Sequence, residues 1–185
     1  MILLFSHPAL AQLKKTFPLQ AVTLQFAGST GFLTAGYSRQ SAAGKVDLGL
    51  LYGYTPEFAG GEDLHTANLK FIYQPFNLRI APAFFIQPVQ TGIFISQHFG
   101  KNLSFRWPEK YKKGYYWWLP STRLHLLLGS QVSYFPENKK IKRVAFYFEA
   151  NTNDLYVASY SANRNYRSIP FYDIIFFGMG TRIYF

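Results

Sequence analysis

Ser121, His125 and Glu149 are the residue types that acyl-ester hydrolysis requires: a hydroxyl nucleophile, an imidazole base and a carboxylate to orient the base. The spacing of Ser121 and His125 keeps both on one face of a strand, because successive side chains alternate across it. A register set by the turn at Pro136 that places His125 opposite Glu149 would bring all three together near one end of a sheet. A slip in that register would offer Asn151 to His125 instead, and the histidine would then be a hydrogen-bonded member of a polar interior.

A second group carries charge. Lys45, Asp47, Lys70, Arg123, His125, Arg143, Glu149 and Arg182 fall on the polar face of alternating segments. If that face lines a narrow barrel, these groups must pair with one another and with trapped water, which makes a plug and excludes a diffusive channel. A third group lies in a loop: Arg106, Trp107, Lys112, Lys113, Tyr115, Trp117 and Trp118 set cations beside amphipathic aromatic rings. Such a cluster suits phosphorylated lipid headgroups, or simply anchors a loop at a membrane interface. His65 and His98 are too far apart in the pattern to form a metal site, and no pattern calls for a cofactor.

The elements that position these residues are strands. Alternation of period two begins at residue 21 and persists nearly to the end. Residues 21–27 and 33–38 flank a Gly-Ser-Thr-Gly turn and read as a tight hairpin. Residues 45–55 and 66–74 follow, the first after a turn at 41–44, the second after a loop at 56–63. Residues 78–96 have a mixed phase and contain Pro82 and Pro88, which predicts one long bulged strand. After a loop over 97–120, residues 121–135 and 141–153 form a hairpin about Pro136. A loop over 154–170 leads to a closing strand at 171–185, so eight strands are expected, with no helical pattern competing.

Turns at 41–44, 76–77 and 136–139 are short, whereas those at 56–63, 97–120 and 154–170 are long. An even number of meandering strands with short turns at one end and long loops at the other is the pattern of an up-and-down membrane barrel. The two faces agree with this. Large aliphatic and aromatic residues occupy one face, whereas the other mixes charges with Gly36, Gly49, Gly53, Gly129, Gly178 and Gly180. Small residues mixed with charges suit a narrow lumen, and the aliphatic face suits lipid. Tyr52, Tyr54, Tyr73, Tyr134 and Tyr184 fall near strand ends, where an interfacial girdle would lie.

Composition restricts the alternatives. The 185 residues suffice for one domain, 19% are aromatic, and no apolar run reaches the roughly 18–20 residues of a spanning helix. Cysteine is absent, which excludes disulfides and thiolate metal sites. The formal charge of +10 is scattered singly between aromatic runs, apart from small Lys/Arg clusters. That distribution favours acidic headgroups over nucleic acid as the partner. Residues 1–11 read as the remnant of a secretory signal ending in Ala9-Leu10-Ala11, with residues 12–20 as a lead-in and 21–185 as the barrel domain.

The order of elements resembles the outer-membrane lipid A deacylase family: a tight first hairpin, a Gly- and Tyr-rich strand followed by Gly60-Gly61, a strand opening with His65 and reaching Lys70, and a proline-containing fifth strand. The resemblance implies an eight-stranded outer-membrane barrel in a lipid-rich setting. It also implies catalysis by a His-x-Ser pair on the seventh strand and an acid on the eighth. The seventh strand here reads Phe146-Tyr147-Phe148-Glu149-Ala150-Asn151 and contains no such pair; only Asp173 falls near the place of the acid. The terminal Phe185 resembles the signal that the barrel-assembly machinery reads on closing strands.

The expectation is therefore an all-β, eight-stranded antiparallel up-and-down transmembrane β-barrel with a polar, side-chain-filled lumen, in the bacterial outer membrane. Its first expected role is non-porin binding or organisation of outer-leaflet lipid, lipopolysaccharide or an envelope partner. Its second is acyl-ester hydrolysis by Ser121, His125 and Glu149.

Overall fold

The computed structural model describes residues 19–41, 43–100, 121–137, 140–161 and 170–185. The strands are β1 (Gln20–Ala27), β2 (Leu33–Gln40), β3 (Val46–Thr55), β4 (Leu64–Tyr73), β5 (Leu78–Ala81), β6 (Phe84–Phe99), β7 (Thr122–Tyr134), β8 (Arg143–Asn153) and β9 (Phe176–Tyr184). Each pairs antiparallel with its neighbours in sequence, except that β4 bonds to β6 directly, and β9 returns to β1. The result is a closed ring of eight strands in which the register Ala21↔Tyr184 to Ala27↔Gly178 seals the seam. Closure removes every edge but that of β5, a four-residue flap on β6.

Polarity is inverted relative to a water-soluble barrel. Val22, Leu24, Phe26, Leu48, Leu50, Leu126, Leu128, Phe146 and Phe148 face outward and are exposed, Leu50 at 67%. Thr23, Gln25, Asp47, Lys70, Gln131, Glu149 and Arg182 alternate with them and are buried inside. The apolar part of the interior is small, with Ile72, Phe94 and Leu127 forming one cluster and Ala21, Ala145 and Tyr184 another.

The segment expected as one strand from residue 78 to 96 is instead a hairpin. Pro82 and Ala83 turn the chain between β5 and β6, so the short turn expected at 76–77 is only the start of that excursion. The mixed phase has a local cause. Between Gln87↔Gln131 and Gln90↔Gly129, β6 spends two residues, Pro88 and Val89, against one on β7. Proline has no N–H to give to the ladder and sits where the ladder is interrupted. The extra residue turns both Gln87 and Gln90 into the lumen, where each is buried.

The long connections also carry helix: α1 (Glu57–Gly60), α2 (Asp154–Ser161) and a 3-10 turn (Phe171–Ile174). These were expected as loop or, for 171–174, as strand. Their local hydrogen bonds are set by Pro56, Pro170 and the Asn153 side chain, which accepts from the Tyr156 amide at 3.0 Å. Period-two alternation carries no information about helices of one or two turns. No helix among the described residues is long and apolar enough to cross a membrane.

Candidate functional site

The polar interior is built in layers. At mid-height, Lys70 on β4 reaches Glu149 on β8, with its Nζ 2.6 Å from both carboxylate oxygens. Gln25 on β1 joins them: its Nε2 donates to Glu149 Oε1 at 3.1 Å, while its Oε1 accepts from Lys70 at 3.3 Å and from the Tyr147 hydroxyl at 2.8 Å. Three strands from different sides of the ring are thus tied through one buried ion pair. Removing two charges from water is costly unless hydrogen bonds replace it, and the Gln25 amide, itself held by the Tyr147 hydroxyl, bonds to both ions.

Towards the short-turn end, Arg182 donates to Gln131 at 2.6 Å and lies 3.9 Å from the Tyr147 ring centroid. Arg143 stacks 3.7 Å over Tyr184 and donates to Gln40 at 2.9 Å. Asp47 accepts from Gln40, Gln74 and Tyr184 at 3.1, 3.0 and 3.4 Å. Between these layers a cavity of only 10 Å³ remains, bordered by Asp47, Lys70, Tyr147 and Arg182. Gly180 makes the packing possible: a Cβ there would overlap the Tyr147 ring and the Leu24 carbonyl.

The expected charged set is largely in place. Asp47, Lys70, His125, Arg143, Glu149 and Arg182 are buried in the lumen, and Arg123 is half-buried towards the long-loop end. Lys45 is a correction, because it is exposed on the turn before β3 and never enters the lumen. Tyr184 is another: its parity is inward, and it is wholly buried beneath Arg143 instead of joining an interfacial girdle. Tyr52, Tyr73 and Tyr134 do face outward and are exposed. The glutamines and Tyr147 were not singled out beforehand, although they share the polar parity. Neutral amides attract less notice than charges, yet here they supply most of the connections.

The long-loop mouth is closed in part by the β1–β2 turn, a short connection at the end where the other connections are long. It folds inward. Thr30 is fully buried, and its carbonyl accepts from Thr66 Oγ1 and from Asn68 Nδ2, while Ser29 Oγ donates to Asn151 Oδ1 at 2.5 Å. A Cβ at Gly53 would overlap the Thr30 carbonyl, so glycine is required for that approach.

The hydrolytic triad does not assemble. The β7–β8 register pairs His125 with Asn153 and Gly129 with Glu149, so Glu149 lies four residues deeper along β8, roughly 13 Å at the usual rise. Its carboxylate is held by Lys70 and Gln25. His125 stacks face to face on Phe94, with centroids 4.2 Å apart. Among the described residues neither His125 ring nitrogen has a hydrogen-bond partner, nor does the buried Ser121 hydroxyl. The Pro136 connection is longer than the tight turn the expected register needs, and that difference moves the register. Asp173, near the place of the acid in the deacylase pattern, is exposed on the 3-10 turn. Arg106, Trp107, Lys112, Lys113, Tyr115, Trp117 and Trp118 lie outside the described residues, as does the 1–11 segment. Among the described residues no group of three or more His, Asp or Glu is placed to hold a metal ion.

Outside the ring, α2 packs against β7 and β8. An apolar slot of 380 Å³ lies between helix and wall, lined by Leu126, Leu128, Val157, Tyr160, Phe171 and Ile174 among others.

No family model matches the sequence, that of the lipid A deacylases included, and no curated protein matches it. Among solved structures, the N-terminal β-barrel domain of Pseudomonas aeruginosa OprF is similar at a TM-score of 0.42 and 12% identity, over 91% of this chain and 96% of that one. The likeness is too distant to transfer any property, and the eight-stranded assignment rests on the pairing of the strands themselves.

Proposed function

We infer that the protein is a bacterial outer-membrane barrel without pore activity that binds outer-leaflet lipid, lipopolysaccharide in particular, at its long-loop end. The observation that carries this reading is the inverted polarity of the wall. A continuous belt of exposed Leu, Val and Phe would be untenable in water, where contiguous apolar patches exceed a few hundred Å² only at interaction or membrane surfaces. The filled lumen supports the absence of a pore, and closure of the ring satisfies the backbone as a bilayer demands.

Lipid binding is supported by the apolar slot under α2 and by the sequence that connects β6 to β7, which is cationic and Trp-rich around Trp117 and Trp118. The test is binding of purified, detergent-folded protein to immobilised lipopolysaccharide. Exchanging Trp117 and Trp118 together for Ser should weaken binding about tenfold, as the loss of two interfacial rings would. Wild-type affinity in that variant would overturn the lipid reading, and a protein soluble and folded without detergent would overturn the membrane barrel.

A further inference from the structure

The end of the barrel that carries the short turns is cationic on its outside. Arg39 stands near the end of β2, Lys45 precedes β3, Arg79 lies on β5, and Lys140 and Lys142 lead into β8; all are exposed. In the sequence, Lys139 adds a further charge to the last of these connections. Acids are few here. Of the nine Asp and Glu residues, Glu57, Glu62, Asp63, Glu109, Asp154 and Asp173 belong to the long connections and Glu149 to mid-height, which leaves Asp47 and Glu137. Asp47 is buried inside, where Gln40, Gln74 and Tyr184 donate to it. Outside, only Glu137 and the carboxylate of Phe185 oppose these cations, and pairing within the set does not remove the surplus.

The height of the charges on the wall points to their partner. Arg39 shares the outward face of β2 with Tyr37, two residues or roughly 7 Å away along the strand. Lys142 lies two residues before Val144, which pairs with Tyr134, and Tyr134 in turn pairs with Phe84, their ring centroids 5.0 Å apart. Lys45 adjoins Val46, the partner of Tyr73. Tyr37, Tyr73, Phe84 and Tyr134 are all exposed, so the cations stand just below a belt of amphipathic and apolar rings. Arg79 is held on its turn by the Pro82 carbonyl at 3.0 Å, which leaves its charge uncancelled.

We propose that this rim is a collar that selects anionic glycerophospholipids in the leaflet it meets. The reading rests on the membrane barrel and assigns a lipid class to the end opposite the one that takes lipopolysaccharide. Short turns of such barrels lie on the periplasmic side, where the leaflet consists of glycerophospholipids. The charges sit on three separate connections around the ring, the arrangement that suits many small headgroups encircling the wall. A protein partner would touch one side only. Each cation meets its own headgroup, its aliphatic stem lying along the belt, so no single molecule has to span the rim.

The test uses the whole chain in vesicles, with Trp107, Trp117 and Trp118 changed to Phe and Tyr134→Trp as reporter beside Lys142. Vesicles of phosphatidylcholine and phosphatidylglycerol are compared with either lipid brominated on its acyl chains. Quenching should show phosphatidylglycerol favoured beside the reporter by about fivefold, the value of one cation at an anionic surface. Raising salt from about 0.1 to about 1 M, which shortens the screening length from about 10 to about 3 Å, should remove most of that preference. Lys140→Gln with Lys142→Gln should abolish it, Lys142→Arg should keep it, and Glu57→Gln, exposed at the other end, should leave it unchanged. Equal quenching by the two lipids overturns the collar and leaves an acidic protein as what the surplus faces. A preference that persists in the folded double Gln variant overturns it as well. In both cases the membrane barrel stands, whereas absence of quenching by either lipid defeats the barrel and the collar together.

Discussion

Lys70 and Glu149 face each other across the interior, and what each does depends on the other. Replacing Lys70 with Met leaves a buried carboxylate with only the Gln25 amide and should cost roughly 3–5 kcal/mol. Adding Glu149→Gln restores neutrality and should recover much of that loss. Urea unfolding in lipid vesicles measures both, and equal destabilisation of the single and double variants would refute the pairing argument. At this scale the sequence was partly legible. The parity of Asp47, Lys70, Glu149 and Arg182 pointed inward on alternation alone, because a strand has two faces and no third choice. Which of them pair did not follow, because partners in a barrel come from strands distant in sequence, and their height depends on the stagger of every strand between. His125 shows the consequence: its face was right and its neighbour wrong, since a longer excursion at Pro136 moved the register of β8.

Among the elements, the β1–β2 turn shows most clearly why the strand pattern was readable and the connections were not. Its length was evident from Gly28 and Gly31, but its inward fold depends on Thr66, Asn68 and Asn151, which belong to other strands. Gly53→Ala should force the Thr30 carbonyl away from those donors and cost about 1–3 kcal/mol. Hydrogen exchange should report faster exchange in the turn than in β7 and β8; protection equal to the wild type would mean that the turn does not rely on that gap. The bulge at Pro88 and Val89 is the counterpart case. Its proline was visible in the sequence, and the doubt over phase was the bulge itself, whereas the Pro82 turn was concealed by apolar residues on both sides. The two small helices escaped notice because one or two helical turns are too short to show a helical period.

For the whole molecule, the decisive quantity is the contrast between wall and lumen. Leu50 stands near the middle of β3 on the outer face, so Leu50→Arg should destabilise the folded state by about 2–4 kcal/mol in vesicles. Exchange of exposed Lys45 for Arg should have no measurable effect. Denaturant titration of tryptophan emission in vesicles would check both, and an unaffected Leu50→Arg variant would mean that lipid does not meet this wall.

The seam between β1 and β9 carries one more implication. Neither the opening nor the final segment of the chain has a complete set of backbone partners until the other arrives, because each is the other's neighbour in the circle. In the bilayer inferred under the proposed function, a molecule lacking β9 would present two raw margins, on β1 and β8, to a surrounding that offers them nothing to bond. Production of this protein is therefore an affair of completion, in which almost finished and not begun are energetically much closer than their lengths imply.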